Sequence, residues 1–138
     1  MTFVEYADGD LMAIDLANVL AGELRAALAH GGRVLFAVPG GSTPAPTFDA
    51  LCAARIDWSR VDVLLTDERW VAPDHPRSNT RLVRERLLVE RAAEATLLPM
   101  YQPTDTPDAA VTRLTEAIAP HLPVAVMLLG MGTDGHVA

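Results

Sequence analysis

The chain has 138 residues, half of them hydrophobic and 21% charged, the balance of one soluble globular domain with its own core. A net charge of −7 argues against a nucleic-acid partner, and apolar runs such as Val124–Leu129 are far too short to cross a membrane. Glu5, Asp8 and Asp10 stand where an export signal needs positive charge, and the single cysteine, Cys52, cannot form an internal disulfide; a reducing cytoplasm is the expected setting.

Elements follow in chain order. Asp10 to Ala29 reads as a helix, with Ile14, Ala17, Ala21, Leu24 and Leu28 recurring at three and four. His30-Gly31-Gly32 stops it, which makes His30 a helix terminus rather than a ligand. Arg33–Val38 is a short apolar run suited to a buried parallel strand. A second helix is expected from Pro44 to about Ala54, capped by Ser42 or Thr43. Val61–Thr66 is the next strand, and Ser78 or Asn79 starts a helix running to about Leu88. A short strand is expected near Leu97–Met100. Thr106-Pro107-Asp108 signals a helix start, with Val111, Leu114 and Ile118 as its apolar stripe, and Val124–Leu129 is the last strand.

Strands alternating with helices imply right-handed crossovers and a three-layer α/β/α, Rossmann-like fold with a mostly parallel sheet. Residues 1–138 carry no repeat and no linker, so they read as one α/β domain. Ligands bind such sheets beyond the carboxyl ends of the strands. Three loops leave that edge: Pro39–Thr43, Asp67–Asn79 and Gly130–His136.

The first, PGGSTP, offers tight-turning glycines, free N–H groups and the hydroxyls of Ser42 and Thr43 at the start of a helix, which suits a phosphate. A plain turn with a helix cap needs the same residue types. The loop lacks the G-K-[ST] ending of a nucleotide-binding P-loop. All eleven basic residues are arginine, so an anionic substrate would be held by arginines, backbone N–H groups or parts beyond these residues. In the second loop, Asp67, Glu68 and Arg69 follow a buried strand, where charges must pair with each other or contact a ligand. Arg69 suits a phosphate or an oxyanion; the plainer alternative is a salt bridge to a neighbouring acid. His75 reads as exposed, Trp70 as packing, and Arg84 and Arg86 as a solvated face.

The third loop, LLGMGTDGH, places Gly130, Gly132 and Gly135 in a G-x-G-x-x-G pattern. It follows the last strand rather than the first, and Asp134 would repel a pyrophosphate, so a dinucleotide is a poor fit. A carboxylate and an imidazole side by side at a strand end instead suit a general base. The spacing of Asp67, Asp134 and His136 argues against a metal site.

Together, PGGSTP, TDERWV followed by Ser78-Asn79, and LLGMGTDGH resemble the 6-phosphogluconolactonase family in order and spacing, over essentially the whole chain. Related glucosamine-6-phosphate deaminases typically read D-E-Y where this chain has Asp67-Glu68-Arg69, so Arg69 favours the lactonase. The resemblance implies cofactor-free hydrolysis of 6-phosphogluconolactone, a small phosphorylated sugar lactone of the pentose phosphate pathway. The phosphate is expected on Gly40, Gly41, Ser42 and Thr43, with Asn79 and Gly132 also in the binding site. His136 is expected to take a proton from water. Arg69, helped by the Gly132 N–H, would stabilise the oxyanion, and either Asp134 or Asp67 would orient the base or the water. Two alternatives stand: an amino-sugar-phosphate deaminase or isomerase of the same fold, in which an acid moves the proton, and a non-catalytic sugar-phosphate-sensing domain. Family members are longer, so the resemblance also implies that the 138 residues are an incomplete, N-terminal portion whose own phosphate binding and hydrolysis are weak.

Overall fold

A computed structural model describes residues 1–137. Four parallel strands form the sheet: β1 (Val34–Val38), β2 (Val61–Leu65), β3 (Thr96–Leu97) and β4 (Val124–Met127), in the order β3-β2-β1-β4. Four α-helices accompany them: α1 (Gly9–Leu28), α2 (Ala45–Leu51), α3 (Asn79–Arg86) and α4 (Val111–Ile118). The expected α/β architecture is the one observed.

β1 lies in register with β2 from Val34↔Val61 to Val38↔Leu65, and all five of its residues are buried. Side chains alternate across a strand. One face therefore carries Val34, Phe36, Val38, Val61, Val63 and Leu65, which join Leu20, Leu24 and Leu28 of α1 and Phe48 and Leu51 of α2 in the main core. The other face carries Leu35, Ala37 and Asp62, also buried. The chain steps from β1 to β2 to β3 in one direction and returns past both to β4. Right-handed crossovers then carry the β3-to-β4 connection, with α4, to the face opposite α2 and α3. β1 is thus the point where the winding reverses, and a crevice opens beyond its carboxyl end.

Several element boundaries differ from expectation, each for a local reason. α1 starts at Gly9 because Asp8 caps it, its carboxylate accepting from the Leu11 N–H at 2.8 Å. Its buried stripe is Ala13, Ala17, Leu20, Ala21, Leu24 and Leu28, and Ile14 lies outside it, exposed. α2 spans only Ala45–Leu51, with Pro44 at its N-cap; neither Ser42 nor Thr43 caps it, so both hydroxyls stay open. Ser78 does cap α3, accepting from the Arg81 N–H at 3.3 Å. Near Pro107 the backbone first makes a single 3₁₀ turn over Pro107–Ala109, which delays α4 to Val111. β3 is two residues long and starts one position early, at Thr96. Among the described residues β4 pairs with β1 alone, and its two faces are covered unevenly: Val126 packs on the core while Met127 is exposed.

Candidate functional site

Each of the three loops begins where a buried strand runs out, and the last backbone hydrogen bonds of the sheet set their directions. The Thr66 N–H donates to Val38 O at 2.9 Å and the Leu128 N–H to Ala37 O at 2.9 Å. The loops therefore diverge from neighbouring strand ends and enclose a cleft of about 450 Å³. Its wall includes Gly40, Gly41, Thr43, Asp67, Arg69, Asn79, Gly132 and His136. Ser42 and Asp134 stand outside that wall, and both are exposed.

In the first loop, Gly41 has φ +84°, a left-handed conformation natural to glycine. Gly40 is needed for a different reason. A Cβ there would stand 2.0 Å from Asn79 Cγ, so only a bare backbone lets the Asn79 amide lie against it.

The second loop is organised by its three charged residues. Extended backbone sends alternate side chains to opposite sides, and Asp67 and Arg69 both face the cleft while Glu68 does not. Arg69 Nη1 donates to Arg77 O at 2.8 Å and to Asn79 Oδ1 at 3.1 Å. Asn79, itself buried, donates through Nδ2 to Asp67 O at 3.1 Å. Contrary to the simpler expectation, no carboxylate among the described residues forms an ion pair with Arg69, because Glu68 is fully occupied elsewhere. Its two oxygens accept from the N–H groups of Arg69, Asn79 and Thr80 and the hydroxyls of Ser78 and Thr80 at 2.7–3.0 Å. Burial raises the Glu68 pKa, but those bonds, led by the Asn79 N–H and the Thr80 hydroxyl, outweigh it and hold the carboxyl below its ordinary value.

Further along, Trp70 packs as expected: its ring centroid lies 4.9 Å from that of Tyr101 and its indole N–H donates to Thr104 O at 2.8 Å. His75 is exposed, with Nδ1 accepting from the Arg77 N–H. Arg86 is not merely solvated. It grips Asp49 of α2 with two hydrogen bonds, at 2.7 and 2.5 Å, tying α3 to α2 at the surface.

In the third loop, His136 Nδ1 lies 2.5 Å from Asp134 Oδ1. The hydrogen bond from the ring holds the Asp134 carboxyl below its ordinary value. With Nδ1 engaged, Nε2 is the ring nitrogen left for chemistry. Gly135, at φ +87°, turns the chain so that residues two apart can face each other. Gly132 sits beneath the pair; a Cβ there would come within 2.6 Å of the imidazole and 2.8 Å of the Asp134 carboxylate. Its N–H donates to His136 O at 2.8 Å, so the expected oxyanion contact from Gly132 is corrected: that donor is spent inside the loop, and the residue's contribution is space. Among the described residues, no group of three or more His, Cys, Asp or Glu side chains converges as a metal site would need.

Sequence reasoning placed all three loops on one edge but missed the clamp made by Glu68. The available signal was the position of Glu68 between two cleft-facing residues, next to a helix start rich in hydroxyls.

A parallel sheet with a cleft at its winding reversal, walled by a glycine loop, an arginine with no ion-pair partner among the described residues and a histidine beside a carboxylate, defines the α/β class of fold whose ligands are held beyond the strand ends. The sequence profile described as "Glucosamine-6-phosphate isomerases/6-phosphogluconolactonase" matches residues 7–138, and the chain belongs to that family. It is 45% identical over 128 residues to a 6-phosphogluconolactonase of Rhizobium meliloti, covering 92% of this chain and 55% of the relative. To a 6-phosphogluconolactonase of Pseudomonas putida it is 40% identical over 134 residues, covering 97% and 55%. The crystal structure of a 6-phosphogluconolactonase from Shewanella baltica OS155 superposes with a TM-score of 0.92 at 38% identity, covering 96% of this chain and 57% of that one. The chain thus spans little more than half the length of these relatives. No helix among the described residues is long and apolar enough to cross a membrane.

Proposed function

We propose that this chain carries the lactone-opening site of a 6-phosphogluconolactonase, a carboxylic-ester hydrolase acting on a phosphorylated sugar lactone. The observation that carries the reading is His136, backed by Asp134 from outside the wall, lining the same cleft as Arg69, whose guanidinium has no acidic partner among the described residues. With Nδ1 held by Asp134, His136 Nε2 accepts a proton from water as its oxygen attacks the lactone carbonyl. The carbonyl oxygen becomes an oxyanion. Arg69 neutralises it through its remaining N–H groups, since Nη1 already serves Asn79 and Arg77. Collapse breaks the bond to the ring oxygen, which takes the proton back from His136 and leaves as a hydroxyl. The phosphate rests on the N–H groups of Gly40 and Gly41 and the hydroxyl of Thr43, which line the cleft, with the exposed Ser42 hydroxyl at its margin. The metabolite and the single buried thiol of Cys52 are consistent with a cytoplasmic enzyme.

Asp67 favours a second reading. It lines the cleft, so a proton shuttle by an acid, as in an amino-sugar-phosphate deaminase or isomerase, is the competing use of this site. One assay on the full-length protein separates the readings: hydrolysis of 6-phosphogluconolactone above its spontaneous rate, run beside ammonia release from glucosamine 6-phosphate. Accelerated hydrolysis without ammonia is expected. Ammonia release alone would transfer the reading to the deaminase, and tight substrate binding with neither reaction would leave a sensor domain.

A further inference from the structure

We infer that Glu68 is a positioning residue: it clamps the Asp67–Arg69 segment onto the start of α3 and thereby aims the Arg69 guanidinium into the cleft. For its catalytic consequence the inference rests on the lactonase reading above. Glu68 is not itself a proton-transfer group, because it faces away from the cleft and five donors occupy its two oxygens. Oε1 holds the N–H groups of Arg69 and Asn79; Oε2 holds the Thr80 N–H and the hydroxyls of Ser78 and Thr80. These donors come from two segments about ten residues apart in sequence. The carboxylate therefore welds the loop to the helix, and it does for the Asn79 and Thr80 N–H groups what no nearer residue does.

The weld matters because of what rides on it. Asn79, fixed at its backbone by Glu68, bridges Asp67 O and Arg69 Nη1 with its side chain and lies directly against Gly40. Glu68 thus sets the geometry of Arg69 through two routes, the Arg69 backbone and the Asn79 amide, and links both to the glycine loop. If the clamp is released, Arg69 keeps its charge and loses its aim.

Glu68→Gln separates this role from mere packing. The variant preserves shape, yet its NH₂ group must face N–H donors in either orientation: Arg69 and Asn79 at one oxygen, Thr80 at the other. Steady-state kinetics and the Arg69 Nε–H resonance in a ¹⁵N-labelled sample are measured together. The expected result for Glu68→Gln is a roughly 10²-fold fall in kcat, the size of a small misplacement of a catalytic group. KM is expected to change little and the Arg69 resonance to move, while the α1 and β1 amides stay in place. A folded variant with unchanged kcat and an unmoved Arg69 resonance overturns the inference. A moved resonance in a protein whose wild type never accelerates lactone hydrolysis supports the clamp and removes the lactonase reading instead. Should Glu68→Gln not fold, Glu68→Asp keeps the charge but is one methylene too short to hold the Arg69 and Asn79 N–H groups together with Thr80; an unmoved Arg69 resonance and unchanged kcat there overturn the inference equally.

Discussion

Gly40 and Gly132 are the positions where a single methyl group has no room, and each touches a different part of the chemistry. Gly40→Ala would push its Cβ into the Asn79 amide, which has nowhere to retreat because it is bonded to Asp67 O and Arg69. Such overpacking costs about 1–3 kcal/mol, and denaturant melts should show it. Gly132→Ala strikes an exposed pair instead, so the expected loss is in catalysis with stability nearly unchanged. His136→Ala removes the proposed base outright. Hydrolysis should fall by roughly 10²–10⁴-fold with KM little altered, as a pH-stat assay corrected for spontaneous opening would reveal. Arg69→Lys keeps the charge but not the fork. An ammonium cannot both satisfy Arg77 O and Asn79 Oδ1 and reach an oxyanion, so kcat should drop even if binding persists.

Between elements, two carboxylates hold the sheet's opposite ends. Glu68 acts at the carboxyl edge. At the other edge, Asp62 of β2 is buried and accepts from Arg33 Nη2 at 2.6 Å and Nε at 3.1 Å, with His121 Nδ1 at 3.0 Å. Arg33 precedes β1 and His121 precedes β4, so one acid joins three strand beginnings. Burial raises the Asp62 pKa; the hydrogen bonds from Arg33 and then His121 more than offset it and leave the carboxyl below its ordinary value. Both acids therefore bind protons less readily in the folded than in the unfolded chain. Their stabilisation is complete above the ordinary carboxylate pKa of about 4 and disappears as pH falls through the lower folded values. Acid titration followed by circular dichroism should show stability declining below about pH 4, and less steeply in Asp62→Ala. At neutral pH that variant should lose about 1–3 kcal/mol for the hydrogen bonds removed.

For the molecule as a whole, the order β3-β2-β1-β4 makes β1 the centre, buried along its full length, and β4 an edge with one side less covered. Cys52 reports on the integrity of this arrangement. It lies in the main core with its thiol 3.2 Å from Asp49 O, and burial, reinforced by Glu90 and Asp49, pushes its pKa up. A thiol reagent should label it slowly in native buffer and at a rate that climbs with urea in step with loss of helix signal. Rapid labelling of the native protein would mean that the α2 side of the core opens locally.

Much of this was legible in the residues themselves. Strand and helix alternation, the glycine loop and the Asp134-Gly135-His136 triplet follow from short-range rules: the periods of two and 3.6 residues and the turn preference of glycine, all properties of neighbouring bonds. Those rules sufficed to put three loops on one sheet edge and to select Arg69, Asp67 and His136 for it. They did not reveal that Glu68 turns away to hold the start of α3, and they erred in giving α2 a Ser42 or Thr43 cap and in leaving the Gly132 N–H free for an oxyanion. Each of these depends on which donors and acceptors arrive from distant parts of the chain. Glu68 and Asp67 are chemically near equals, and only the approach of the α3 start to one side of the loop, and of the glycine loop to the other, makes one a clamp and leaves the other facing the cleft.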